Sequence, residues 1–148
     1  MDKLSNFFRD EVGHPRYGSF DDILNRDDEF WEKTHDFIQW VFPLNEASRF
    51  NQQAPILNQS SVKELASSEK TKEKLLSATD RYKSFLRGNN DWRSGYDYNH
   101  MRISRVIKCL RLLSDDRSAN EFKHWVAGEL GDDIDQIHSE SKRHWRLS

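Results

Sequence analysis

Apolar residues recur along this chain at helical spacing, and polar, turn-forming stretches separate the apolar runs. The most apolar block is residues 35–44, where Pro43 disfavours helix at the preceding residue and so ends the segment. We expect Trp40 to lie in the core together with the apolar residues of this block. Those residues share one face of a helix: Phe37, Ile38, Val41 and Phe42.

The same periodicity predicts helices along the rest of the chain. Residues 1–12 and 19–25 suit short helices, the second with Ser19 as its N-cap. Residues 27–42 favour one long or kinked helix, with a break at Thr34 and a second helix from His35 as the alternative. Further helices are predicted over residues 61–67, 68–87, 99–113, 118–130 and 132–145.

Polar residues mark where several of these helices begin. Ser61 and Glu64 have the spacing of a capping box, and Asn99 is the expected N-cap of the helix that it precedes. Residues 43–60 and 88–98 are rich in turn formers and are predicted to be irregular loops. Three apolar residues are expected to hold the first loop against the core: Phe50, Ile56 and Leu57.

No segment shows the alternating pattern of a strand. We therefore predict an all-α fold, a single compact bundle of about six to eight helices with two long irregular loops, in which residues 1–148 form one domain. Nine Phe, five Trp and four Tyr residues are available for its core.

Composition narrows the classes of function. The 23 basic and 25 acidic residues give a net charge of −2, which is not the bulk signature of a nucleic-acid-binding protein. The lone Cys109 excludes an intramolecular disulfide and a cysteine-based zinc site, and its apolar neighbours predict a buried, unreactive thiol. No signal-peptide pattern and no run of ~20 apolar residues is present, so we expect no membrane-spanning segment and a cytoplasmic location.

The clearest chemical feature is a cationic stripe on the helix predicted from residue 99. Arg102, Arg105 and Lys108 recur every three residues, and Trp92 and Arg93 precede them. Guanidinium groups beside the rings of Trp92, Tyr96 and Tyr98 could hold a nucleotide, single-stranded nucleic acid or an acidic peptide end. Ion pairs with the acidic residues of the chain are the alternative explanation of the stripe.

The histidines give weaker evidence of a functional site than the cationic stripe does. His35 and Gln39 lie one helical turn apart, so they either line a cleft or form a buried, hydrogen-bonded pair. His35-Asp36 invites comparison with all-helical metal phosphohydrolases, and His14 with a later Asp such as Asp80 or Asp97 could complete their ligand set, but too few convergent ligands are evident. Nucleophile-elbow, HExxH and glycine-rich phosphate-binding motifs are missing from the sequence. We therefore expect no catalytic residues, no metal and no cofactor.

Three blocks of the chain resemble the conserved domain of the opioid growth factor receptor family, over about residues 20–125. The first, His35-x-Phe37-Ile38-Gln39-Trp40-Val41-Phe42-Pro43-Leu44, is similar to H-x-Y-I-Q-W-L-F-P-L of the family. The second is Ala54-Pro55 with Leu57. The third is Trp92-Arg93-Ser94 followed by residues 99–110, similar to N-W-R-S and N-N-L-R-I-T-R-I-L-K-S-L. The chain departs from the family pattern in two places. Extra residues separate the two parts of the third block, and the stretch before that block is shorter.

The resemblance implies a non-catalytic binding domain rather than an enzyme. The animal receptor is described as binding an enkephalin peptide and restraining cell proliferation, but a shared fold does not carry a function by itself. We hypothesise that this chain binds a peptide or protein in a cleft between the helix of residues 35–44 and the helix of residues 99–113. The rival hypothesis is a nucleic-acid or nucleotide-processing protein that uses Arg93, Arg102 and Arg105 with His35 or His100. Eight residues are the candidate ligand-binding set: His35, Gln39, Trp92, Arg93, Asn99, Arg102, Arg105 and Lys108.

Overall fold

The computed structural model describes residues 2–49 and 51–148, and within them the chain is helical. It contains α1 (Lys3–Phe8), α2 (Phe20–Leu24), α3 (Asp28–Lys33), α4 (Ile38–Val41), α5 (Gln59–Ala66), α6 (Glu69–Arg87), α7 (Tyr98–Leu113), α8 (Asp116–Leu130) and α9 (Ser139–Leu147). Two 3-10 turns, Asp91–Arg93 and Gly131–Gln136, precede α7 and α9. These described residues form no strand, only two isolated β-bridges. The predicted all-α fold is confirmed, with one α-helix more than the predicted range.

The additional helix arises where the long helix favoured over residues 27–42 is broken. The backbone of Thr34 is extended, with φ −98° and ψ 127°, so α3 ends there. A single turn, α4, begins only at Ile38, and its N-cap residue makes no side-chain capping bond. The break therefore lies at the alternative position that the sequence offers, but the second helix starts three residues later than expected.

Two N-caps differ from the prediction because an adjacent carboxylate or amide competes better for the free N–H groups. Asn58, not Ser61, caps α5; Ser61 is the reciprocal partner at the third helical position, with its Oγ 2.9 Å from the Asn58 nitrogen. Asp97, not Asn99, caps α7, and its carboxylate lies 2.9 Å from the Asn99 nitrogen. The predicted cap Ser19 of α2 is confirmed.

The C-terminal helix also starts later than predicted. Residues 132–136 form a 3-10 turn rather than the first turns of an α-helix. The backbone of Gly95 explains the interruption, because its N–H donates to the carbonyl of Gln136 and its carbonyl accepts from the N–H of His138, each at 2.8 Å. This pairing holds Ile137 extended, and α9 begins after it.

The first irregular loop contacts the core through fewer residues than expected. Leu57 is buried, and its N–H donates to the carbonyl of Leu44 at 2.9 Å. Ile56 is 49% exposed, so the expectation that it anchors the loop is wrong. The third expected anchor, Phe50, lies outside the described residues.

Helix α7 is central to the fold and packs against α5, α6, α8 and α9. Aromatic side chains dominate the core around it, as the composition predicts, and Trp40 is buried against the ring of Phe7. Cys109 on α7 is fully buried, and burial raises the pKa of its thiol to about 12. None of the described helices is both long and apolar enough to cross a membrane.

Candidate functional site

A groove runs between α7 and the segment from His35 to Arg49, with His144 of α9 beside it. Its volume is about 560 Å³, which is within the range of ligand-binding clefts. Its apolar side chains include Ile38, Leu44 and Met101. The two sequence segments that were expected to form a cleft therefore lie side by side and line one concavity.

Five of the eight candidate residues line this groove. His35 and Gln39 come from the α4 segment, and the other three, Arg102, Arg105 and Lys108, come from α7. The three-residue spacing on α7 brings the cationic side chains onto the helix face that meets α4.

The other three candidates form hydrogen bonds outside the groove. Trp92 is fully buried, and its indole N–H donates to the carbonyl of Leu86 at 2.8 Å. Asn99 is buried as well, where its Oδ1 accepts from the hydroxyl of Tyr82 at 3.2 Å. Arg93 binds Glu129 on α8 through both the main-chain carbonyl and the carboxylate. These contacts join parts of the core and do not face the groove.

Arg102 explains the break between α3 and α4. Its guanidinium is buried and donates to the main-chain carbonyls of Trp31 and Thr34, the second at 2.7 Å. In a continuous helix those two carbonyls would instead accept from the N–H groups of residues 35 and 38. The side chain of Arg102 thus satisfies carbonyls that the end of α3 leaves free, and a cation at a helix C-terminus is also favoured by the helix dipole.

Arg105 performs the same role one turn further along α7. Its Nε donates to the carbonyl of Phe42 at 2.8 Å, at the C-terminal end of α4. Burial lowers the pKa of the Arg105 guanidinium, although Glu46 opposes that shift. Its two Nη groups have no hydrogen-bond partner among residues 2–49 and 51–148, and the residue lines the groove.

Lys108 alone of the three follows the ion-pair interpretation of the stripe. Its Nζ lies 3.2 Å from a carboxylate oxygen of Glu46, in the loop after Pro43. Arg102 and Arg105 bind main-chain oxygens instead, an alternative that the sequence did not suggest. Arg49, on the same loop, adds another cation to the groove. Among the lining residues that are described, four Lys and Arg side chains therefore face one acidic side chain, Glu46.

His35 lies at the exposed edge of the groove. Its ring packs edge-on against Tyr98, with ring centroids 4.9 Å apart. Partial burial lowers the pKa of His35, and the charge of Arg102 lowers it further. A neutral imidazole is therefore favoured at this edge at neutral pH.

Gln39 is the unusual residue of the site. Its side chain is only 4% exposed, yet its Oε1 has no hydrogen-bond partner within the described part of the chain. An unsatisfied buried acceptor costs about 1–3 kcal/mol. The sequence-based pairing of Gln39 with His35 is not observed as a hydrogen bond, and the Oε1 atom itself is fully buried, so it does not face a ligand in the groove.

Sequence reasoning did not identify several lining residues. Three of them, Leu44, Ala47 and Arg49, belong to the loop that follows α4, where no periodic pattern predicts the direction of a side chain. Met101 occupies the same face of α7 as Arg105 and Lys108 and was accessible to a helical-face argument.

The metal hypothesis can be compared with the positions of its residues. His14 Nε2 lies 3.0 Å from the carbonyl of Asp36, whose carboxylate binds Arg16 and the hydroxyl of Tyr17. Across residues 2–49 and 51–148, no cluster of three or more His, Cys, Asp or Glu side chains has an arrangement suited to a metal ion. The Asp36 carboxylate instead binds the chain segment before α2.

Comparison with known proteins identifies the family of the chain. The family model of the opioid growth factor receptor conserved region matches residues 5–88, more than half of the 148 residues. This range includes the first two resembling blocks and ends before the third. Neither the curated proteins nor the solved structures contain a significant match. The chain therefore belongs to the family defined by the opioid growth factor receptor conserved region.

Proposed function

We propose that this protein is a binding domain that holds a peptide, or a peptide segment of a protein, in the groove between α4 and α7. The observation that supports this proposal is the composition of the groove: apolar side chains and cationic side chains line the same cavity of about 560 Å³. Ligand sites typically combine an apolar wall with a few polar groups that fix orientation.

The charges of the groove favour an acidic ligand. Arg49, Arg105 and Lys108 are cationic, and Glu46 offsets only one of them. Complementary charge increases the rate of encounter and selects against partners of the same sign. Family membership agrees with this proposal, because the family is named after a receptor. We further propose that residues 1–148 act as one domain and that it functions in the cytoplasm.

The rival hypothesis of nucleic-acid binding loses part of its basis. It placed Trp92, Tyr96 and Tyr98 beside the arginine stripe as aromatic surfaces, and Trp92 is fully buried. Arg102, which it also required, is occupied by two main-chain carbonyls. Base stacking needs an accessible aromatic face, and among the described residues that line the groove only Tyr98 supplies an aromatic ring other than histidine.

The experiment is selection of peptides from a randomised display library on the full chain, followed by affinity measurement with fluorescently labelled peptides. Ala47→Trp should reduce affinity by at least about tenfold, because Ala47 is an exposed groove residue and the indole would occupy the cavity. Ala127→Trp is the matched control, since Ala127 is exposed on α8 outside the groove.

Two outcomes would contradict the proposal. One is a set of selected peptides whose affinity is the same for wild type and Ala47→Trp. The other is that no peptide is selected while a single-stranded oligonucleotide binds with a steep dependence on salt concentration, which is the signature of phosphate contacts.

A further inference from the structure

We propose that a second cavity, between α7, α8 and α9, binds a small aliphatic carboxylate such as a medium-chain fatty acid. This cavity is separate from the groove between α4 and α7, and the proposal does not depend on the function proposed for that groove. It follows from two properties of the cavity: an apolar lining, and basic side chains that have no acidic partners.

The apolar lining is the first property. The cavity has a volume of about 350 Å³, near the lower end of the range for small-molecule sites. Ala127 is exposed and Ile134 is half-buried, so part of the apolar surface is open to solvent. A ligand with an aliphatic body gains free energy by covering that surface. The apolar residues come from three helices and the turn before α9: Ile103, Ile107, Val126, Ala127, Ile134 and Trp145.

The cavity and the groove lie on different sides of α7. Ile103 and Ile107 line the cavity, whereas Arg105 lines the groove. With 3.6 residues per turn, Arg105 is rotated by about 160–200° from both isoleucines around the helix axis. No described residue lines both concavities, so a ligand of one does not occupy the other.

Unpaired basic side chains are the second property. Four basic residues line the cavity, and no acidic residue is among the described residues that do so. None of the four side chains forms an ion pair within residues 2–49 and 51–148. Arg143, the neighbour of Lys142 on α9, points elsewhere and pairs with Glu140 at 3.4 Å. The basic lining residues are Lys123, His124, Lys142 and Arg146.

Lys123 is the basic side chain whose environment most clearly favours an anion. Its Nζ donates to the main-chain carbonyl of Arg146 at 3.3 Å, which places the ammonium between α8 and α9. Partial burial lowers the pKa of Lys123, and the charge of Arg111 lowers it further. A carboxylate bound beside this ammonium would offset both effects.

The depth of the cavity favours a single alkyl chain over a membrane surface. Ile107, Val126 and Trp145 line the cavity but are only 1%, 2% and 8% exposed, so the apolar floor is recessed. A narrow alkyl chain enters such a recess, whereas a flat bilayer surface does not. His124 and Arg146 are exposed, so a carboxylate at the end of the chain would meet basic groups near the solvent, where ion pairs are favourable but modest.

The test uses four ligands that differ in head group or chain length: octanoate, butanoate, 1-octanol and octylammonium. Binding is measured by titration of the ¹⁵N-labelled full chain, with the indole N–H of Trp145 and the amides of α8 and α9 as reporters. We expect a dissociation constant near ~1 mM for octanoate and values about fivefold higher for 1-octanol. Butanoate should bind at least about tenfold more weakly, because each buried methylene contributes up to about a fourfold gain. Octylammonium should bind most weakly of the eight-carbon ligands.

Two pairs of variants test the charge and the location of the site. Lys142→Glu should weaken octanoate binding by about fivefold and strengthen octylammonium binding, because the head group then meets a charge of the opposite sign. Lys63→Glu is the matched control, since Lys63 is exposed on α5 and lines neither concavity. Ala127→Trp should weaken octanoate binding at least about tenfold because the indole fills the cavity, whereas Ala47→Trp in the groove should not. The two tryptophan variants have the opposite roles in the peptide experiment, so failure of this proposal is distinguishable from failure of the proposed function.

Several results would overturn the proposal. If octanoate shows no binding at concentrations about tenfold above the expected dissociation constant, the cavity is not a site for this class of ligand. If octanoate and 1-octanol bind equally well, the basic side chains do not select an anionic head group. If Ala127→Trp binds octanoate as well as wild type, or the shifts occur at the groove, the ligand does not occupy this cavity. If the chain binds vesicles of anionic phospholipid but not free octanoate, the basic residues form a membrane contact instead.

Discussion

Replacement of Arg102 by alanine should destabilise the protein strongly, because this side chain of α7 is hydrogen-bonded to the C-terminal end of α3. Arg102 is 5% exposed and donates to two main-chain carbonyls, those of Trp31 and Thr34. Hydrogen bonds from a charged group contribute about 1.5–3 kcal/mol each, so the loss of both should cost about 3–5 kcal/mol after water partly enters the site. That is a large part of the ~5–15 kcal/mol stability of a typical domain.

Urea unfolding followed by circular dichroism measures this free energy. Arg102→Lys should recover only about half of it, since one ammonium group cannot reach both carbonyls with the geometry of a guanidinium. Arg117→Ala is the control, because Arg117 is exposed and its pair with Glu121 on the same helix should contribute less than about 0.5 kcal/mol. A loss below about 1 kcal/mol for Arg102→Ala, with an unchanged denaturant slope, would refute the reasoning.

Three other predictions follow from single buried or capping residues. Burial lowers the pKa of His100, so the unfolded chain takes up a proton that the folded protein does not. The free energy of unfolding should therefore fall as pH decreases below about 6.5. The His100→Gln variant should show a smaller dependence of this free energy on pH between about pH 7 and pH 5, and an unchanged dependence would contradict the assignment. The buried Cys109 thiol, with its pKa raised to about 12, should not react with a thiol reagent at neutral pH until the protein is unfolded, and rapid reaction of the native protein would show that it is accessible. Asn58→Ala should cost about 1 kcal/mol in urea unfolding through loss of the α5 cap, whereas substitution of the exposed Ser60 should be nearly neutral.

Local signals in the sequence predicted the long helices well. Helix α6 was expected over residues 68–87 and spans Glu69–Arg87, because Ser68 and Gly88 specify its ends through contacts within a few residues. The N-caps of α5 and α7 were misassigned by short distances, since several capping residues occur together there and the sequence does not rank them.

Features that depend on distant residues could not be predicted in the same way. The break at Thr34 is stabilised by Arg102, 68 residues later in the chain, and no local pattern reports that contact. Trp92 and Arg93 were assigned to the site because aromatic and cationic residues in a polar loop suggest exposure. Leu86 and Glu129, which bind them inside the protein, belong to other helices.

From the sequence we expected the segment around α4 and helix α7 to lie side by side. His35, Gln39 and Arg105 line one cavity. The spacing could not show that, among residues 2–49 and 51–148, Nε is the only nitrogen of the Arg105 side chain with a hydrogen-bond partner, or that Gln39 Oε1 has no partner there.

The bonds from α7 to the ends of α3 and α4 also bear on how this protein can be dissected. A fragment truncated at residue 88, where the family match ends, would lack Arg102 and Arg105 and would leave the carbonyls of Trp31, Thr34 and Phe42 unsatisfied. The limits of sequence similarity would then not coincide with those of an autonomous folding unit. Expression of such a fragment should yield an aggregating or partly unfolded product, and restoration of the chain through α7 should be the minimum needed to recover native helicity.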